Sequence, residues 1–432
     1  MNFYRSLINP GKIKFQVIFA VIWFCFGLVI PNSWAGDDLL DVLRKNKTIN
    51  QEQYEALIKN KKQVKQKPLR KGLQFASPDG DFKFRIGGRL MVDGAYYDNN
   101  TQELGNGTKI HRGRVFIKGK MYQDYKFKVQ YDFADNLVSV KDVYIQYTGL
   151  DSSVITIGNF KETFSLEELT SSRYSTFMER GLPNAFAPGR HIGVGFMTHG
   201  DNWTFGVGAF GEGPGDERVN DEGYGFSSRV TFAPINNKNQ SIHLGLAGAY
   251  RAPESFTKIV AFDSRPESDV TTRKLVATGD ITNVDFYTNI GLEGAIVKGP
   301  WSIQGEFIYT NIHRGGTNRD LEFHGFYTYL SWLITGESRP YSAINGEFGR
   351  IKPKNNFGKG GSGAWEVAVR YSGLDLDDNG VTGGDENDLT LGVNWYLNPN
   401  MRLMANYVLA NIQSPNLRDE INILQMRAQV DF

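Results

Sequence analysis

Tyr125-Lys126-Phe127-Lys128-Val129-Gln130-Tyr131-Asp132-Phe133 carries an apolar side chain at every odd position and a charged or amide side chain at every even one. Successive side chains of a strand point to opposite faces, so this stretch reads as a strand with one apolar and one polar face. Its neighbours repeat the pattern. Phe82, Phe84, Ile86, Leu90 and Val92 oppose Lys83, Arg85, Arg89 and Asp93, and Val115, Ile117 and Met121 oppose Arg112, Arg114, Lys118 and Lys120. The same period of two returns at 203–209, 224–232, 242–250, 284–296, 301–309, 365–371, 389–397, 401–409 and 424–432. Shorter candidates lie at 142–147, 154–160, 191–198 and 323–333. That makes roughly sixteen strands of about ten residues, the length that crosses a bilayer as a tilted strand.

Composition agrees. In 432 residues there are 48 glycines and only 15 prolines, with 13% aromatics, which suits many strands joined by tight turns. A mean hydropathy of −0.38, with no spanning apolar run after residue 35, excludes a polytopic helical membrane protein. Lys plus Arg number 48 against 47 Asp plus Glu, so no global charge draws the chain to nucleic acid. The lone cysteine, Cys25, excludes a disulfide framework and a multi-cysteine zinc site.

Three parts are expected. Residues 1–35 read as a secretory signal: Arg5, Lys12 and Lys14 precede an apolar run from Phe15 to Ile30, and Ser33 and Ala35 are small residues ahead of a cut before Gly36. Residues 36–70 read as a short helical extension with a polar linker, its stripes being Leu39, Leu40 and Leu43, then Tyr54, Leu57 and Ile58. Residues 71–432 are the strand-rich part. A sandwich or propeller also alternates, but the number and length of the strands, ending at Phe432, favour a barrel closed at an aromatic girdle. The fold expectation is all-β: a sixteen-stranded antiparallel transmembrane β-barrel with a short helical N-terminal extension, its apolar face against outer-membrane lipid. The connections 234–240, 298–300 and 398–400 are short, whereas 252–283, 335–363 and 375–387 read as long loops, and the two kinds are expected at opposite ends.

Most chemical motifs fall away. Gly206, Gly208 and Gly211 match a dinucleotide fingerprint without a following helix, the six histidines never fall at ligand spacing, and neither G-x-S-x-G nor H-E-x-x-H occurs. No enzyme is expected, and no cofactor. Asp375, Asp377, Asn379, Gly380 and Glu386 occupy positions 1, 3, 5, 6 and 12 of a calcium loop. Strands rather than helices flank them, so a solvated hairpin loop is the preferred reading and calcium the weaker one.

The polar faces carry the functional signal. Positions alternating with the apolar face of a membrane barrel line its lumen, which places Arg89, Arg112, Arg114, Lys118 and Lys120 there, with Arg229, Arg251 and Arg370 further on. A pore lined by cations favours anions. Asp132, Asp142, Glu293, Glu306 and Glu366 are available to offset them, the ordinary lining of a weakly selective pore. The stretch 161–190, bearing Lys161, Arg173 and Arg190, is too long for a turn. A helical turn through Leu166 and Leu169 would pack inside the barrel and narrow it.

Several segments together resemble the phosphate-selective porin O and P family. They are Phe84-Arg85-Ile86-Gly87-Gly88-Arg89-Leu90, residues 112–119, Phe164 to Arg180 with its Ser-Leu-Glu-Glu-Leu-Thr-Ser-Ser core, and Ile334-Thr335-Gly336-Glu337. Ile351-Lys352-Pro353, Gly363-Ala364-Trp365-Glu366 and Leu391-Gly392-Val393-Asn394-Trp395-Tyr396 complete the set. The resemblance implies a trimeric outer-membrane channel with an inward-folded third loop and a ladder of arginines leading anions such as phosphate or polyphosphate to a lysine-bearing constriction. Carried over by matching residue, Arg89, Arg112, Arg180, Arg229, Arg251 and Arg370 become ladder or constriction residues. His111 departs from the pattern, standing where the phosphate-selective members have the first of two adjacent arginines. The expected function is a passive anion-selective outer-membrane channel. A weakly selective general porin, and a surface adhesin or structural barrel, are the alternatives.

Overall fold

Alternation becomes closure in the three-dimensional structure, a computed structural model that describes residues 44–55, 73–98, 104–215, 221–358, 360–414 and 417–432. The signal-peptide expectation and most of the helical extension lie outside the described residues. Residues Met1–Arg70 and Lys71–Phe432 form separate compact units. In the first, Asn50 and Gln53 cap a helical turn reciprocally, Asn50 Oδ1 accepting from the Gln53 amide at 2.8 Å and Gln53 Oε1 from the Asn50 amide at 2.9 Å.

In the second unit sixteen antiparallel strands form the barrel: β1 (Phe82–Asp98), β2 (Gly107–Met121), β3 (Tyr125–Asp132), β4 (Ser139–Leu150), β5 (Ser153–Lys161), β6 (Arg190–His199), β7 (Trp203–Phe210) and β8 (Tyr224–Asn237). The second half comprises β9 (Gln240–Ala252), β10 (Val284–Lys298), β11 (Trp301–Arg314), β12 (Leu321–Leu333), β13 (Ala364–Asp378), β14 (Val381–Asn398), β15 (Met401–Ser414) and β16 (Leu417–Asp431). Each pairs with its neighbours in sequence, and β1 also pairs with β16, from Arg89↔Asp431 to Asp98↔Asn422. A ladder with no free edge satisfies its own backbone, which is what a bilayer demands of strands. The first barrel strand outruns the last, and Leu73–Ala76 pairs with Lys83–Ile86 to continue the ladder there.

Faces follow the alternation. Leu246, Ile290, Leu292, Leu391 and Leu403 are exposed on the outside, while Arg89, Asp93, Gln304, Glu306, Asn394 and Arg427 are buried within. Outward aromatic pairs stack near the end holding the short turns: Trp301 on Trp332 at 5.0 Å between centroids, and Trp365 on Trp395 at 5.1 Å. Tyr250, Phe286 and His313 stack near the other end. Two aromatic girdles flanking an apolar band are the signature of a membrane-spanning barrel.

Two loop expectations are corrected. Residues 334–363 are long but follow β12, so they hang from the end that otherwise holds short turns. The stretch 375–387 is no loop: β13 and β14 run on to Asp378↔Val381, joined by Asn379-Gly380 with φ of 43° and 91°. Both central residues at positive φ make the type I′ turn that Asn-Gly favours. Alternation along this hairpin then sends Glu386 inward, level with Leu374, while Asp375 and Asp377 lie on the opposite face. The four calcium-ligand candidates Asp375, Asp377, Asn379 and Glu386 are therefore not brought together.

The closing seam is locked from inside. Arg427 on β16, fully buried, donates to both oxygens of Asp93 on β1 at 2.7 and 2.6 Å. Arg427→Met should leave Asp93 buried without its cation and destabilise the barrel by about 3–5 kcal/mol. The check is the urea midpoint of unfolding in detergent, and an unchanged midpoint would contradict the lock.

Candidate functional site

Three segments fold into the barrel, and a cation-lined cavity remains beside them. Residues 162–189 enter from the loop end. Ser165 caps a helical turn (Leu166–Leu169), and the Glu306 carboxylate of β11 accepts from the Leu166 and Glu167 amides at 3.0 and 2.7 Å. A carboxylate across free amides at a helix start is well placed electrostatically. Wall side chains grip the rest of the segment: Asn394 donates to the Thr176 carbonyl at 2.8 Å, Arg402 to that of Ser175 at 2.6 Å, and Arg427 to the Glu179 carboxylate at 2.7 Å.

Residues 253–283 enter from the same end. Phe262, Leu275, Val276 and Ile281 pack with Leu182 and Phe186 against Ile308, Phe323, Leu374 and Ile412 of the wall. Glu267 descends further, paired with Arg370 and accepting from Ser372 and Thr390 at 2.5 Å each. Residues 334–363 rise from the opposite end. Phe348 of this segment packs against Leu166, and Arg350 lies over the Tyr174 ring at 5.1 Å, so segments from both mouths meet. Gly346, at φ 62°, comes so close to the wall that a Cβ would stand 2.9 Å from Arg229 Nη1, while its carbonyl accepts from Arg229 at 2.8 Å.

These segments cover the interior of β10–β16. A cavity of about 490 Å³ stays open against β1–β8. Nine basic residues line it (Arg89, Arg112, Arg114, Lys128, Lys161, Arg173, Arg180, Arg190 and Arg229) against two acidic ones, Asp142 and Glu347. Low-dielectric walls around an excess of one sign concentrate that field.

Not all nine cations are free. Arg114 pairs with Asp132 at 2.6 Å, Lys128 and Arg190 share Asp142, and Arg229 pairs with Glu293 at 2.6 Å. Lys161 and Arg180 share Glu168 at 3.0 and 2.8 Å. Burial pushes the Glu168 carboxyl up, but Arg180 and Lys161 outweigh it and hold it down at about 2, so it is an anion. Arg89, Arg112 and Arg173 have no carboxylate within ion-pair distance among the described residues. Arg89 and Arg112 instead converge on one hydroxyl, Ser172 Oγ, at 2.6 and 3.0 Å, and Arg173 donates to Ser171 Oγ at 3.3 Å.

A β-bulge explains how Arg112 comes to stand beside His111 in the lumen. The register of β1 and β2 shifts between Met91↔Arg112 and Val92↔Ile110, so two consecutive residues point inward. Arg112 Nε donates to His111 Nε2 at 2.9 Å, and His111 Nδ1 meets Asp269 of the second inward segment at 2.9 Å.

Other sites expected from sequence lie elsewhere. Lys118 and Lys120 face the lumen nearer the turn end, away from the cavity. Arg251, paired with Glu162, lines a separate recess of about 560 Å³ at the loop end. Arg370, 1% exposed, is sealed beneath Glu267 and Glu167 and does not line the cation-lined cavity. Sequence reasoning missed Ser172, Arg427 and the whole contribution of 334–363. Arg427 had a signal, its place between Gln425 and Gln429 on the polar face of the last strand. The cavity also has an apolar side, where Tyr144, Val154 and Met197 stand half-buried.

The family model described as phosphate-selective porin O and P matches residues 84–432. Porin O of Pseudomonas aeruginosa is 29% identical over 382 residues, covering 78% of this chain and 85% of that protein. An uncharacterised protein of Caulobacter vibrioides is 30% identical over 384 residues, covering 83% of this chain and 76% of its own. Among solved structures, a loop-deletion form of OmpT, an outer membrane protein of Vibrio cholerae, superposes with a TM-score of 0.54 at 12% identity, covering 82% of this chain and all of that one. An anion-selective porin from Comamonas acidovorans gives 0.51 at 13% identity, covering 81% and 100%.

Because Glu306 holds the helical turn at the constriction, Glu306→Ala should loosen segment 162–189. Single-channel recordings are expected to show higher conductance with more open-state noise. Unchanged traces would mean that the wall contacts further along the segment suffice.

Proposed function

Since the chain belongs to the phosphate-selective porin O and P family, we propose that it is a passive outer-membrane channel whose constriction selects anions, with phosphate or polyphosphate as natural permeants. One observation carries this reading: Arg89, Arg112 and Arg173 face the cavity without carboxylate partners. The two guanidiniums that meet at Ser172 are held close by their neighbours, and an oxyanion arriving there relieves their mutual repulsion. Guanidinium donors are planar and matched to phosphate oxygens, so they replace part of its hydration shell. Nothing in this role requires bond making, and the activity is diffusion down a gradient rather than catalysis.

Pairing of Arg229, Arg251 and Arg370 with Glu293, Glu162 and Glu267 favours a second reading, a pore of weak ion preference. Reversal potentials in planar bilayers separate the two. With Arg89, Arg112 and Arg173 all changed to Ala, the chloride-to-potassium permeability ratio should fall. Phosphate block of the chloride current should weaken by about tenfold or more, since a hydrogen bond to a charged group contributes about 1.5–3 kcal/mol. The difference should shrink at about 1 M salt, where the Debye length is about 3 Å. A triple variant with unchanged selectivity and block at low salt would overturn the anion reading.

Assembly as a homotrimer in outer-membrane lipid, and export by a leader at 1–35, belong to the same proposal. An SDS-resistant species that falls to monomer on boiling is expected. A monomer by light scattering in mild detergent would count against it.

A further inference from the structure

The bulge that turns Arg112 into the lumen turns His111 in beside it, where His111 is 9% exposed. Both ring nitrogens are engaged, and their partners fix the tautomer. A guanidinium only donates, so His111 Nε2, 2.9 Å from Arg112 Nε, accepts and carries no proton. The proton of the neutral ring is then on Nδ1, which donates to Asp269 Oδ2 at 2.9 Å. Arg112 thus has two holds. One is His111, at its Nε, and the other is Ser172 Oγ at the cavity, 3.0 Å from its Nη1.

Charged groups face the ring from every neighbouring element. β1 brings Asp93, whose Oδ2 is 3.7 Å from Nδ1, and beyond it Tyr97, bonded to Ser268 at 2.6 Å. β2 brings Lys109 as well as Arg112, and Lys109 Nζ lies 2.8 Å from Asp269. Arg427 of β16 holds both Asp93 oxygens, and Arg265 of the second inward segment pairs with Asp269. The first inward segment brings Arg180 and Glu179, which line a recess together with Asp269. Glu179 Oε1, bonded to Arg427 at 2.7 Å, stands 3.7 Å from His111 Nε2. Three carboxylates therefore lie within 3.7 Å of the ring nitrogens, and Arg112 is the cation in direct contact. A second proton on the ring turns Nε2 into a donor that cannot face the Arg112 donor, and Glu179 is the acceptor on that side. Imidazole is the side-chain group that ordinarily changes charge between about pH 5 and about pH 8. Resting on the anion-channel reading above, we infer that His111 is a positioning residue that tunes the pore by taking up a proton. Neutral, it holds Arg112 back through Nε. Protonated, it turns to Glu179, leaves Arg112 to pivot on Ser172, and adds a positive charge behind the constriction. Anion preference then rises in acid.

The test follows sulfate block of chloride current through the reconstituted full-length channel at low salt, from about pH 8 down to about pH 5. Sulfate is the probe because it stays a dianion throughout, whereas phosphate itself gains a proton in this range. Block is expected at about tenfold lower concentration at the acid end, which is about 1.4 kcal/mol. His111→Gln keeps an acceptor and a donor but cannot titrate, and its block should not change with pH. His111→Arg, cationic throughout, should also give a flat profile, at the strong block of the acid form. Sulfate block that ignores pH in the unaltered channel overturns the inference and leaves the anion reading standing. A pH dependence that survives in both variants overturns the assignment to His111. Absence of block at every pH, with no anion preference in reversal potential, removes both readings together. The profile of the unaltered channel needs no variant to fold.

Discussion

Arg427 bonds Asp93 across the closing seam, the Met178 carbonyl and the Glu179 carboxylate, all from a wholly buried position on the last strand. Through that one guanidinium the closure of the barrel and the placing of its constriction become a single event. The deeper constraint is that strands in a bilayer must close, and closure gives every second residue of sixteen strands to an interior. A cylinder of this size is not filled by side chains, so the interior must be occupied by chain or by water. Here both happen. One half of the wall turns its polar groups to holding folded-in backbone, and the other half stays wet and cationic.

Division of labour among the arginines follows from who faces them. Arg229, Arg251, Arg370 and Arg427 each meet a carboxylate, and removing such a partner inside a protein is costly. Their charge is committed to structure. Arg89, Arg112 and Arg173 meet hydroxyls and, for Arg112, the His111 ring, neutral partners that leave their field available to a passing ion. A count of arginines on lumen faces does not distinguish the two groups. The distinction needs the neighbour across the ladder or on an inward segment.

That is also where reading from sequence ran out. Period-two alternation at 82–92, 112–121 and 125–133 was enough to assign faces, because an apolar exterior leaves no choice of register. The inward turn at Leu166 and Leu169 was legible because two leucines in a connection between membrane strands need somewhere dry to go. The sequence puts 335–363 with the long loops of the other end, because loop length says nothing about which mouth a loop hangs from. Only the parity of strands before it does, and the faces of 323–333 were ambiguous. Asp375 to Glu386 misled for a related reason. Ligand spacing in a calcium loop presumes a compact loop, and Asn379-Gly380 instead makes a two-residue turn that splits the set across two faces. Ion-pair partners such as Glu267 for Arg370 lie 103 residues apart, and no local pattern announces them.

The cation-lined cavity lies off-centre, against β1–β8, with segments 162–189 and 253–283 packed onto β10–β16. The two halves of one cylinder therefore answer to different selection. Inward residues of β10–β16 behave as a protein core, where a substitution is judged by whether the barrel and its tenants still hold together. Inward residues of β1–β8 divide: Asp93 and Arg229 are tied into buried ion pairs, whereas Arg89 and Arg112 at the cavity are held only by neutral partners and are freer to change. In this barrel, adaptation of the pore and maintenance of the fold fall on different residues of the same ring.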